Sequence, residues 1–146
     1  MTVIFYDRNA GVGEFYNTLS QDNLSLLKSY SGWRTSWTHI IPGYAFENSQ
    51  TDLLFYDSSS GAAEFYTEVQ GNINLLKSTT YRAGWTHIVP GLFAQNGNTA
   101  LLFYNSQSGL AEFYSTDGQG NINLLSSNTG WRKSWAQIVW IEEVVQ

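Results

Sequence analysis

Apolar residues fall along this chain in short runs with turn residues between them, and no window sustains the spacing of three and four that marks an amphipathic helix. The runs are rich in Ile, Val, Leu, Phe and Tyr. Between them lie clusters such as Asn9-Ala10-Gly11, Ser60-Gly61, Gln70-Gly71-Asn72 and Gly118-Gln119-Gly120-Asn121. Glycine and asparagine tolerate the backbone angles of tight turns, so the pattern predicts many short strands and few helices. Pro42 and Pro90 stand at matching places just before a glycine, where a strand ends and a missing N–H costs little. The fold class expected is all-β.

The strands recur as a unit. Ile4–Asp7 (IFYD) matches Leu54–Asp57 (LFYD) and Leu102–Asn105 (LFYN). Gly13–Tyr16 matches Ala63–Tyr66 and Ala111–Tyr114, and Leu24–Ser29 matches Ile73–Ser78 and Ile122–Ser127. Trp33–Gly43 matches Tyr81–Gly91 and Trp131–Trp140. Phe5, Phe55 and Phe103 step by 50 and then 48 residues, so the drift is confined to loops. This is one repeat domain over 1–146, with units of approximately 1–48, 49–96 and 97–146 and four strands in each. Runs such as LLFY, EFY and INLL are apolar almost without alternation, which predicts sheets covered on both faces. Four-stranded blades stacked radially meet that requirement better than a two-layer sandwich does.

Composition narrows the partners. Seven basic residues against twelve acidic ones give a net charge of -5, and the basic residues are not clustered. Nucleic-acid binding relies on clustered Lys and Arg, so it is not expected, and a polybasic membrane patch is missing for the same reason. No apolar stretch approaches the roughly 18 residues of a spanning helix, so no membrane insertion is expected. The N-terminal residues lack a secretory pattern, which points to a cytoplasmic or non-classically exported protein. With no cysteine, disulfides and thiolate chemistry are excluded. Charged residues make up only 13% of the chain and aromatics 16%, a balance suited to a recognition surface.

The run W-x-x-I-x-P-G-x-F, followed by T-D-L-L-F-Y-D and G-x-x-E-F-Y, resembles the blade repeat of FG-GAP-type β-propellers, including the fungal and bacterial seven-bladed lectins of that group. The resemblance covers nearly the whole chain. It implies that the Trp-Ile-Pro-Gly segment is the innermost strand of a blade. Calcium-binding members carry an acidic loop before the second strand. Here those loops read Glu47–Asp52 and Gln95–Ala100, the latter with no carboxylate, so no calcium, metal or cofactor is expected. Three units are too few to close a propeller of four to eight blades. The first unit lacks an inner strand and Trp135–Trp140 supplies a spare one, so the expected assembly is a homodimer forming six blades. The alternative fold is a monomeric, three-fold β-trefoil.

Catalysis has little to stand on, and the chain is expected not to be an enzyme. His39 and His87 share a repeat slot that holds Gln137 in the third unit, and are read as hydrogen-bonded strand residues. Glu14, Glu64 and Glu112 place a charge inside an apolar strand in every copy. Arg34, Arg82 and Arg132 recur equally and are the expected ion-pair partners. Phe5, Phe55, Phe103, Phe15, Phe65 and Phe113 read as core, as do Trp37, Trp85 and Trp135. Trp33, Tyr81 and Trp131 differ, because each follows a polar turn and precedes an arginine. A flat ring beside Arg is suited to a sugar, whose apolar face stacks while its hydroxyls take directional bonds. Trp33 with Arg34, Tyr81 with Arg82 and Trp131 with Arg132 are the expected ligand-binding residues. The function expected is that of a multivalent lectin with one shallow carbohydrate site per repeat. The alternative is a non-catalytic structural or protein-interaction propeller module, a fragment or engineered assembly of a larger propeller.

Overall fold

The computed structural model describes residues 1–20, 23–43, 51–92, 99–117 and 120–141. They form eleven strands and, among the described residues, no helix. The first sheet holds β1 (Thr2–Asp7), β2 (Val12–Ser20) and β3 (Asn23–Tyr30). The second holds β4 (His39–Gly43), β5 (Thr51–Tyr56), β6 (Ala62–Val69) and β7 (Asn72–Thr80). The third holds β8 (His87–Gly91), β9 (Ala100–Asn105), β10 (Leu110–Thr116) and β11 (Ile122–Asn128). Every sheet is an antiparallel meander of sequential neighbours, and the described strands close no barrel. A trefoil needs a barrel shared among its repeats, so that alternative is set aside.

The sheets are offset from the sequence units, because the last strand of one unit opens the next sheet. Thus β4 pairs with β5, Ile41 opposite Leu54, and β8 pairs with β9, Val89 opposite Leu102. The first sheet has three strands, with β1 at its edge.

The apolar second strand is explained by sheets packed on both sides. Side chains alternate across a strand, so Leu53 and Phe55 meet Phe15 of the first sheet while Leu54 and Tyr56 join Phe65, Leu101 and Phe103 in the core toward the third. Burying a side chain of this size contributes about 1.5–3 kcal/mol, so the two inter-sheet cores hold the stack together. Tyr30 adds a polar clamp: its hydroxyl donates to Gly71 O at 2.9 Å and accepts from Ile73 N at 3.3 Å.

Two expectations need correction. The INLL strands are not covered on both faces: Leu26, Leu75, Leu76, Leu124 and Leu125 are all exposed. β3, β7 and β11 are the outer strands of their sheets, and only some of their side chains, among them Leu27, Tyr30, Ile73 and Ile122, pack against the cores between sheets. Residues 135–141 also form no strand, and Val139 and Ile141 are exposed.

Candidate functional site at the junctions between sheets

The position of each arginine is set by a device that recurs three times. A glycine with positive φ (Gly11, +67°; Gly61, +80°; Gly109, +77°) ends the turn between β1 and β2, β5 and β6, or β9 and β10. Its carbonyl accepts the N–H of Trp33, Tyr81 or Trp131 at 2.9, 2.8 and 3.1 Å. A Cβ on these glycines would come within 2.5, 2.1 and 2.4 Å of the carbonyl oxygen of the same aromatic residue, so only glycine fits. The tyrosine of the FYD motif then holds the next residue. The Tyr6 hydroxyl donates to Arg34 O at 2.5 Å, Tyr56 to Arg82 O at 2.7 Å, and Tyr104 to Arg132 O. Sequence reasoning missed these tyrosines, whose recurrence beside a core phenylalanine was the available signal.

Each guanidinium lies over the tryptophan three residues on: Arg34 is 4.8 Å from the Trp37 ring centre, Arg82 is 5.9 Å from Trp85, and Arg132 is 5.3 Å from Trp135. Such a cation–π contact fixes the side chain while leaving N–H donors for a ligand.

The arginines do not pair with the glutamates of the EFY motif as expected. Glu and Tyr two residues apart share a face of the strand, and the tyrosine hydroxyl takes the carboxylate: Tyr16 to Glu14 at 3.0 Å, Tyr66 to Glu64 at 2.8 Å, Tyr114 to Glu112 at 2.9 Å. Burial, then the hydrogen bond to the neighbouring carboxylate and its charge, push Tyr66 and Tyr114 up to about 12, with Arg34 and Arg82 respectively opposing the rise. Both hydroxyls therefore stay protonated and aimed at their carboxylates at any ordinary pH. Arg34 stands 3.9 Å from Asp57 instead.

These parts converge between sheets. At the first junction, Gly32, Trp33, Arg34 and Trp37 face Phe55, Glu64, Tyr66 and Ile73 around a hollow of about 280 Å³. At the second, Tyr81, Arg82 and Trp85 face Phe103, Tyr114 and Ile122 around about 220 Å³. The two sets occupy equivalent repeat positions. Their volumes fall just below the roughly 300–1,000 Å³ of drug-sized pockets, a scale suited to a single small polar molecule. Trp131 and Arg132 lie on the far face of the third sheet, where Trp131 packs on Ala111 and Phe113. The six expected residues are thus distributed over successive sheet faces and never meet in one place.

Neither aromatic wall is an open platform. Trp33 stacks on Tyr30 at 5.5 Å and meets Phe55 edge-on at 5.4 Å, so only part of its ring faces the hollow. Tyr81 is half-buried, and its hydroxyl has no hydrogen-bond partner among the described residues. Burial, and then the neighbouring Tyr114, push its pKa upward. It remains a protonated donor.

His39 and His87 are hydrogen-bonded strand residues. Nε2 of His39 donates to Thr86 O at 3.0 Å and Nε2 of His87 to Ala136 O at 2.9 Å, each crossing to the following unit. Among the described residues no three His, Asp or Glu side chains gather where a metal could be held. Most of the two loops weighed for calcium, 47–52 and 95–100, lies outside the described residues. No family model, curated protein or solved structure matches this chain.

Proposed function

We propose that this chain is a non-catalytic, multivalent carbohydrate-binding protein whose sheets are propeller blades and whose ligand hollows lie between them. The carrying observation is the pair of equivalent hollows, each joining an arginine and an aromatic wall of one sheet to a phenylalanine and a tyrosine of the next. Arginine supplies hydrogen-bond donors, the carboxylate that Tyr66 leaves partly open supplies an acceptor, and the rings supply an apolar face. That combination matches a sugar, which offers hydroxyls around its edge and C–H groups on its face. The blade motif resembling FG-GAP-type propeller lectins, and the direct contact of inner strands β4 and β8, support the same reading. Shallow sites of this size bind weakly one at a time, and several on one rigid body raise avidity without new contacts.

A glycan array followed by calorimetric titration tests this. Binding of a monosaccharide or terminal sugar is expected, and Arg34→Met together with Arg82→Met should weaken it at least tenfold while leaving the fold intact, since both side chains are exposed. Silence across a broad panel by a folded sample would refute it. A protein-interaction role is the second reading, favoured by the exposed leucines along the outer strands. Polypeptide binding lost on Leu75→Ser and Leu124→Ser, with no response to sugars, would establish that reading instead.

A further inference from the structure

The two inter-sheet junctions can be compared at a second place, nearer the inner strands, and there they differ. Between the second and third sheets the space lined by Ile41, Pro42, Gly43, Phe65 and Leu101 is about 10 Å³. Between the first and second sheets the equivalent space, lined by Ile4, Phe15 and Leu53 together with Met1 and Thr2, is about 480 Å³. Ile4 matches Leu54, Phe15 matches Phe65, and Leu53 matches Leu101. Among the described residues the first sheet has no counterpart of β4, the strand that fills this position beside β5.

By repeat alignment the counterparts of Ile41, Pro42 and Gly43 are Val139, Trp140 and Ile141. Val139 is 74% exposed in this chain. The segment is nevertheless already presented. Ala136 O is held by His87 Nε2 at 2.9 Å, and Ile138 packs against the cluster of Leu102, Tyr104 and Ala111. Ile40 packs on the first sheet in the same way, and Ile88 joins the core facing the second. So 135–141 lies on the third sheet as β4 and β8 lie on the sheets before them, without a strand of its own sheet to pair with among the described residues.

We infer that a second copy of this chain seats its 135–141 segment as the fourth strand of the first sheet, along β1, and fills the 480 Å³ space. Each copy offers one acceptor edge and one donor segment. With three sheets among the described residues of each chain, two copies give six, within the four to eight of a closed ring. The joint also assembles a third hollow, which rests on the carbohydrate reading above. Its two halves are Trp131, Arg132 and Trp135 of one copy and Phe5, Glu14 and Tyr16 of the other. Their exposure agrees: Trp135 is 46% exposed where Trp85 is 2%, and Phe5 is 49% exposed where Phe55 is 2%.

The register follows from Gly43 opposite Asp52 and Gly91 opposite Ala100, which sets Ile141 opposite Thr2. The chain has no cysteine, so a designed pair reports cleanly. Oxidised Thr2→Cys, Ile141→Cys protein should run as a covalent dimer of twice 16.4 kDa, while the offset pair Thr2→Cys, Val139→Cys should not. Light scattering of the unmodified chain should give the same doubled mass. Val139→Asp, at an exposed position, should keep its circular dichroism and fall to one chain. It should also bind two sugars per chain in place of three. A monomeric mass for the unmodified chain, equal cross-linking of the offset pair, or a Val139→Asp dimer would overturn the joint. Two sugars per chain in an intact dimer would overturn the third hollow. A cross-linked dimer that ignores every sugar supports the joint and refutes the carbohydrate reading alone.

Discussion

Replacing Asp57 by Asn removes one charge from the turn that follows β5 and tests how much that charge contributes. Asp57 is buried. Its Oδ1 accepts the Ser59 backbone N–H at 2.9 Å and the Ser59 hydroxyl at 2.7 Å, and its Oδ2 accepts the Ser60 hydroxyl at 2.9 Å. Burial by itself would raise the carboxyl pKa, but the donors from Ser59, Ser60 and Ser36 outweigh it and hold the group at about 2, against an ordinary 3.8. The folded state therefore favours the ionised form. The stabilisation is complete above the ordinary value and is lost as pH falls toward 2, and its size at neutral pH is about 2 kcal/mol. Asparagine is compatible with the turn, because Asn105 occupies the same slot in the third unit and accepts the Gln107 N–H at 2.9 Å. Asp57→Asn thus removes the charge and keeps the geometry. At pH 7 the melting temperature should drop by about 4–8 °C for a chain of this length. The gap between the two proteins, measured by circular dichroism at one concentration, should narrow between pH 4 and pH 2. Other carboxylates titrate in that range, but they do so in both proteins and cancel from the difference. A gap that is constant with pH, or no gap at pH 7, would refute the reasoning.

A methyl group on Gly13 would stand 2.2 Å from the Trp33 ring, which Tyr30 pins from beyond; Gly13→Ala should cost about 1–3 kcal/mol in urea unfolding and shift tryptophan emission. His39 has its pKa lowered, chiefly by burial and against the Thr86 carbonyl, so the folded state prefers the neutral ring. Its contribution is present above about pH 6.5 and declines as pH falls below that. Gln137 fills the equivalent slot and amide N–H can still reach Thr86 O, so His39→Gln should lose less than about 1 kcal/mol at pH 7 and soften the decline in stability between pH 6.5 and 5.

The strands and their repeat were legible because turn residues and apolar runs are local signals. The two-sided burial of LLFY was legible too, since Leu53 and Phe55 meet one neighbour and Leu54 and Tyr56 the other. INLL carries the same composition but lies on the outer strand, and nothing in the residues says where a neighbouring sheet stops. The partner of Glu64 was misread for a related reason. Arg34 and Tyr66 both offer donors, and the tyrosine prevails because it sits two residues away on the same face, whereas the arginine crosses a sheet junction and is already held over Trp37. The tyrosine's direction was out of reach for Tyr6, Tyr56 and Tyr104 as well: each bonds a carbonyl 26 or 28 residues onward, fixed by the meander alone.

The repeat therefore copies a framework more faithfully than it copies a site. Gly11, Gly61 and Gly109, the FYD tyrosines and the arginines over tryptophan are the same at every copy. The walls around them differ. The first hollow has an indole pinned by Tyr30 and a carboxylate, Asp57, 3.9 Å from its arginine. The second has a tyrosine whose buried hydroxyl lacks a partner among the described residues, and Asn105 where Asp57 stood. An acid beside Arg34 draws on its charge and restrains its motion; Arg82 has no such acid at the equivalent position and keeps more of its donors for a ligand. On the carbohydrate reading, the second hollow offers one hydroxyl and a less engaged guanidinium where the first offers more apolar surface. On that same reading, sites that rank one sugar differently would still add to one avidity when a rigid sheet stack sets their spacing, and drift in the walls would widen what can be held without loosening the framework.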